Sequence, residues 1–188
     1  MQTALNKVSY YPDGNAYYLK EKLAHHFADF DITPDRIMLG NGTNEVIDLV
    51  IRAFVLSGQN VVSAWPAFIM YRLGIKAFNR QEIAVPITAD MRYDVEAMAA
   101  AVTKDTKLMF IANPNNPTGT YITTEELEWL FARVPEDVLI FIDEAYFEYV
   151  KAPDYPNAMN YLDKRERLVV SRTFSKIYGL AGIRMGYG

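Results

Sequence analysis

Apolar and polar positions switch between two periods along this chain, and the switching lays out its elements. Lys107-Leu-Met-Phe-Ile-Ala112 is apolar without alternation, as expected of a strand covered on both faces. Arg36-Ile-Met-Leu-Gly40, Asn60-Val-Val-Ser-Ala64, Arg80-Gln-Glu-Ile-Ala-Val85 and the runs 138–142 and 167–171 predict further short strands. Between them the apolar spacing lengthens to three and four. Ala16, Leu19, Leu23 and Phe27 predict a helix over 15–28, and Val46, Ile47, Val50, Ala53 and Phe54 one stopped by Gly58. Residues 67–76 predict another. Asp94 caps a helix that buries Val95, Met98, Ala99 and Val102. A capping box of Thr123 and Glu126 opens one carrying Leu127, Leu130, Phe131 and Val134. Residues 1 to about 14 read as an irregular arm with a turn at Tyr10-Tyr-Pro-Asp-Gly14, and Gly182-Ile-Arg-Met-Gly-Tyr-Gly188 reads as a strand just beginning.

Strands alternating with helices imply right-handed βαβ crossovers. The expected fold is therefore α/β, a three-layer α/β/α sandwich on a mainly parallel sheet. Its expected parts are an N-terminal arm and helix over 1–34 and a large domain over 35–188, with both ends of the chain looking cut. A length of 188 residues supports one sizeable core, and 51% hydrophobic with 22% charged residues is ordinary for a globular protein. The net charge of −4 argues against nucleic-acid or anionic-membrane partners. No apolar run approaches the roughly 18–20 residues that cross a bilayer, so a cytoplasmic protein is the default expectation. There is no cysteine, hence no disulfide or thiolate metal ligand.

Ligands of such sheets bind beyond the carboxyl ends of the strands. Asn41–Asn44, Asn113–Gly119, Asp143–Tyr146 and Thr173–Lys176 each follow a predicted strand. Gly42-Thr-Asn44 opens a helix whose free amides and dipole suit an anion, although the same residues also serve a plain glycine-rich turn. Asn116 lies in a proline-held loop and suits amide donation to a ring hydroxyl; the loop alone is equally a rigid connection. A strand ending in Asp143-Glu144 also resembles the acidic element of a P-loop ATPase, but no Gly-Lys pair exists anywhere in the chain. Lys176 stands beside Thr173 and Ser175 with Arg184 eight residues on. The bland reading is a solvated lysine; burial and Arg184 would instead favour its neutral, nucleophilic form. Phe68 suits stacking on a flat ring, or simply the core. His25 and His26 are the only histidines; being adjacent, they face different sides of a helix, so no metal site is expected.

Tyr-Pro-Asp-Gly, Gly-Asn-Gly-Thr-Asn-Glu, Asn-Pro-Asn-Asn-Pro-Thr-Gly, Asp-Glu-Ala-Tyr and Ser-Arg-Thr-Phe-Ser-Lys…Gly-Ile-Arg occur in this order from Tyr10 to Gly188. Together they resemble the fold-type I, pyridoxal phosphate (PLP)-dependent aminotransferases, and within them the class-II histidinol-phosphate branch. The resemblance implies a PLP-binding large domain in which Lys176 forms the Schiff base and shuttles the proton. It implies Asp143 on the pyridine nitrogen, and Asn116 and Tyr146 on the ring hydroxyl. Phe68 takes the stacking position, and Thr43, Asn44, Thr173, Ser175 and Arg184 hold the phosphate. Tyr11 matches a tyrosine that reaches the neighbouring subunit's cofactor, so a homodimer is implied. The implied reaction moves an amino group between L-histidinol phosphate and 2-oxoglutarate, an amino donor and a 2-oxo acid. Aromatic-amino-acid aminotransferases and a threonine-phosphate decarboxylase share these motifs and stay open as readings, as does a non-catalytic α/β fragment. The family's small C-terminal domain, with its arginine for the substrate carboxylate, has no counterpart here. The chain alone is expected to be inactive.

Overall fold

The computed structural model describes Asn6 and residues 8–188, so part of the arm expected over 1–14 lies outside the described residues. The chain divides into two compact units, the first ending at Met38 and the second spanning Leu39–Gly188.

The first unit is built on helix α1, Tyr17–His26, followed by 3₁₀ turns at Ala28–Phe30 and Pro34–Arg36. The helix predicted from residue 15 starts later. Ala16 adopts a left-handed φ of 51°, and the Asp13 carboxylate accepts from the Asn15 and Tyr17 amides at 3.1 and 2.7 Å. Leu23 and Phe27 are buried, as their spacing predicts.

In the second unit β1 (Leu39–Asn41) leads into helix α2 (Thr43–Phe54), β2 (Asn60–Trp65), α3 (Ile69–Ala77) and β3 (Gln81–Pro86). Then follow α4 (Val95–Ala100), β4 (Thr106–Ala112), α5 (Thr124–Phe131), β5 (Leu139–Asp143), β6 (Leu168–Thr173) and β7 (Met185–Tyr187). The seven strands form one sheet in the order β1-β7-β6-β5-β4-β2-β3. From β3 to β6 the neighbours pair in parallel. β7 is antiparallel to both β6 and β1, which leaves β1 running with the parallel set. The carboxyl ends of β1, β2, β4, β5 and β6 therefore share one edge.

Every residue of β5 is buried, so both faces of the sheet centre are covered. α2 packs with α3, and α4 with α5, giving the helix layers of an α/β sandwich. Both predicted N-terminal helix caps form. Asp94 accepts from the Ala97 amide, and Thr123 and Glu126 close a reciprocal capping box. Further predicted boundaries move. The helix expected to be stopped by Gly58 already ends at Phe54, with the extended Val55 as its C-cap. The strand expected over 36–40 gives way to the Pro34–Arg36 turn and pairs only from Leu39. The helix expected from 67 begins at Ile69, with Phe68 as its N-cap at φ −57° and ψ 117°.

Candidate active site

Parallel pairing in register aligns side chains across the sheet, and this builds the floor of the site. Phe110 pairs with Phe141, Ala112 with Asp143, and Asp143 with Ser171. Tyr71 of α3 stacks on Phe110 at 4.5 Å between ring centroids and 2° between planes, while Phe141 meets Phe110 edge-on. Past this aromatic stack stands Asp143, only 4% exposed. Its Oδ1 accepts from Ser171 Oγ at 3.2 Å and from the Ala145 amide at 3.2 Å; its Oδ2 accepts from Tyr71 Oη at 3.0 Å. Burial raises the Asp143 carboxyl above its ordinary range, and these donors together with the Lys176 charge oppose the rise. Burial and the neighbouring carboxylate push the Tyr71 hydroxyl far up, so it stays a donor.

The loop after β4 is fixed by its own asparagines. Asn113 exchanges hydrogen bonds with the Ile122 backbone at 2.9 and 3.4 Å. Asn115 accepts from Tyr93 Oη at 2.9 Å and donates to Pro66 O and Thr118 Oγ1 at 3.2 and 2.9 Å. Asn116, which takes no part in these bonds, lines the cavity described below. Behind β5 and β6, Arg172 Nε and Nη2 reach Glu144 Oε2 at 2.9 and 2.7 Å, with both side chains buried. The guanidinium also lies 3.7 Å from the Phe147 ring centroid. This pair anchors the two strand ends from which Asp143 and Thr173 project.

On the other side, α2 opens at Gly42 with φ +71° and no side chain capping its first amides. Arg184, itself left-handed at φ 59°, bonds Ala181 O and Asn41 O at 3.1 and 3.4 Å. Its guanidinium lies so close over Gly42 that a Cβ there would meet Nη2 at 2.3 Å. An uncapped helix start beneath a guanidinium is a cradle for an anion. Thr173 Oγ1 accepts from the Ser175 amide at 3.1 Å, which holds the turn that carries Lys176.

One cavity of about 210 Å³ is lined by Thr43, Asn44, Phe68, Asn116, Asp143, Tyr146, Thr173, Ser175, Lys176 and Arg184. Tyr11 belongs to the first unit, where its side chain is 99% exposed. Lys176 Nζ stands 5.1 Å from the Tyr146 ring centroid, but its side chain is exposed. The desolvation expected for it is therefore not supplied by the described residues, because Lys176 rides on an exposed turn beyond β6. The support that Tyr71 and Ser171 give Asp143 was not legible in the sequence: Tyr71 lies in none of the motifs, Ser171 opens one without any sign of this role, and their partner is 72 and 28 residues away. No group of acidic or histidine side chains among the described residues is arranged to hold a metal.

An anion cradle, a buried carboxylate and a lysine at strand ends of one sheet line a single cleft of an α/β protein. The chain belongs to the aminotransferase class I and II family, whose description it matches over residues 2–188. It is 46% identical to histidinol-phosphate aminotransferase 2 of Carboxydothermus hydrogenoformans over 100% of this chain and 51% of that protein. It is 44% identical to the histidinol-phosphate aminotransferase of Anaeromyxobacter sp., covering 98% and 50% of the two. Among solved structures, the histidinol-phosphate aminotransferase of Sinorhizobium meliloti in complex with pyridoxal-5'-phosphate superposes with a TM-score of 0.89 at 30% identity, over 99% of this chain and 50% of that one. The chain thus spans about half the length of the relatives it matches.

Proposed function

We propose that the protein is a PLP-dependent aminotransferase that moves an amino group between L-histidinol phosphate and 2-oxoglutarate. The observation that carries this reading is that ten candidate residues, nine of them from the quoted motifs, line one cavity. The residues fit the cofactor at both ends. The uncapped start of α2, with the Thr43 and Asn44 amides, the Thr173 and Ser175 hydroxyls and Arg184, would hold its phosphate. The Asp143 carboxylate would hold a proton on the ring nitrogen, Phe68 would cover the ring face, and Asn116 and Tyr146 would face the ring hydroxyl. When bound, PLP supplies an electron sink that stabilises negative charge at the substrate carbon. Lys176 would take the proton from that carbon and return it at the cofactor side, its Nζ kept at the cleft by the turn through Thr173 and Ser175. Substrates are accordingly a small amino donor and a 2-oxo acid. Tyr11 would serve a neighbouring subunit's site, so the working form is a homodimer. A cytoplasmic setting is in keeping with this role, and no helix among the described residues is long and apolar enough to cross a membrane.

The test is reconstitution with PLP followed by borohydride. A visible absorption band that reduction fixes covalently onto Lys176, and that is absent in Lys176→Ala, is expected. No fixed label, or one unchanged in the variant, sinks the enzyme reading and leaves a non-catalytic α/β protein. For the substrate, amino transfer by the full-length protein is expected to be faster from histidinol phosphate than from phenylalanine; the reverse order overturns that choice.

A further inference from the structure

Asp143 is the one buried carboxylate that faces the cavity, and its four acceptor positions are unequally used. Oδ1 is filled by Ser171 Oγ and the Ala145 amide, both at 3.2 Å. Oδ2 receives Tyr71 Oη at 3.0 Å, which leaves it one lone pair. Among the carboxylate's oxygens, then, Oδ2 is the one with room for an N–H from a ligand ring. Tyr71 is 1% exposed and wedged between Phe110, against which it stacks, and Phe68, whose ring meets it edge-on at 5.6 Å. It is three residues beyond Phe68 on the same helix face, so one helix start supplies both a cavity-lining ring and the hydroxyl beneath it.

We propose that Tyr71 is a positioning residue: its hydroxyl fixes Asp143 Oδ2 and keeps the carboxylate ionised, so that this oxygen retains the proton on the ring nitrogen of bound PLP. The proposal rests on the PLP reading above. Its physical basis is that a buried carboxylate is poorly solvated and depends on the protein's own donors to stay charged. With the hydroxyl gone, Oδ2 loses the only protein donor found on it, and the carboxylate turns more basic in the absence of cofactor. Charge separation between carboxylate and ring nitrogen then becomes harder to maintain. The stacked ring itself is untouched in Tyr71→Phe, so the floor of the site keeps its shape.

The experiment uses the protein reconstituted with PLP labelled with ¹⁵N at the ring nitrogen, in wild type and Tyr71→Phe. In wild type the ¹⁵N shift is expected at the protonated position throughout the neutral range. In Tyr71→Phe it is expected to move toward the unprotonated position and to become pH-dependent there. PLP affinity should fall about tenfold, as for loss of a hydrogen bond to a charged group. Thermal melting without PLP separates packing from this effect. A lowered melting point with unchanged ¹⁵N shift and unchanged PLP affinity makes Tyr71 merely structural and overturns the proposal. Wild type that fails to bind PLP overturns instead the functional reading on which it rests.

Discussion

Gly186 sits where three elements meet. It pairs with Gly40 of β1 and Thr173 of β6, and its Cα faces the backbone that opens α2. A Cβ built there would lie 2.4 Å from Thr43 N and 2.6 Å from Gly42 C. These are main-chain atoms, so no side-chain rotation relieves the contact. Restoring ordinary van der Waals separation requires about 1 Å of movement in a strand or in the first turn of α2. Overpacking of this kind costs typically about 1–3 kcal/mol, and a clash between backbones belongs at the upper end. For a protein of this size, about 2–3 kcal/mol lowers the melting midpoint by roughly 5–10 °C. The moved amide is also the first of the anion cradle, so Gly186→Ala should weaken PLP and inorganic phosphate binding as well. The assay is thermal melting of Gly182→Ala and Gly186→Ala side by side, with PLP titration of each. Gly182 has nothing within 4 Å of its would-be Cβ and serves as the matched control. A Gly186→Ala protein that melts within about 1 °C of wild type and binds PLP equally well would refute the close-approach reasoning.

Asp143 gives a prediction about pH. Burial raises its folded-state value above the ordinary 3.8, so the folded cofactor-free protein holds this proton more tightly than the unfolded chain does. That contribution to stability is whole below 3.8 and is lost as pH rises through the raised value. Asp143→Asn, which keeps the shape and removes the charge, should stabilise the PLP-free protein at neutral pH by on the order of 1 kcal/mol while abolishing tight PLP binding. Denaturant melts at pH 4 and pH 8 check it, and an equal effect at both counts against the burial argument. The Arg172–Glu144 pair predicts the opposite sign. Glu144→Gln removes the carboxylate facing a buried guanidinium and should cost about 3–5 kcal/mol, read as a fall in the urea midpoint. A shift within experimental error would mean that the pair is solvated in solution.

How much of this was legible beforehand depended on whether the cause was local. The strands of the sheet centre announced themselves because Leu108–Ala112 and Leu139–Ile142 are apolar on both faces, and the caps at Asp94 and Thr123 because they are closed by residues three positions on. Boundaries moved where a proline-led turn outcompeted an apolar run, as at Pro34–Arg36 before β1. Most of the cavity-lining residues were legible because they lie in the short segments beyond the carboxyl ends of β1, β4, β5 and β6. Their supports were not. Tyr71 looks like any aromatic on a helix, and Arg172, although inside a motif, carries no local sign of its partner; the stack of Tyr71 on Phe110 and the parallel register of β5 with β6 give each its carboxylate.

The asparagine-rich connection after β4 separates two kinds of information. Its course is written in Asn113 and Asn115, whose amides are spent on the backbone and on Tyr93 and Thr118. The side chain that lines the cavity is Asn116. Position 116 is therefore a place where selection, or an engineer, can exchange chemistry while the scaffold around it stays as it was.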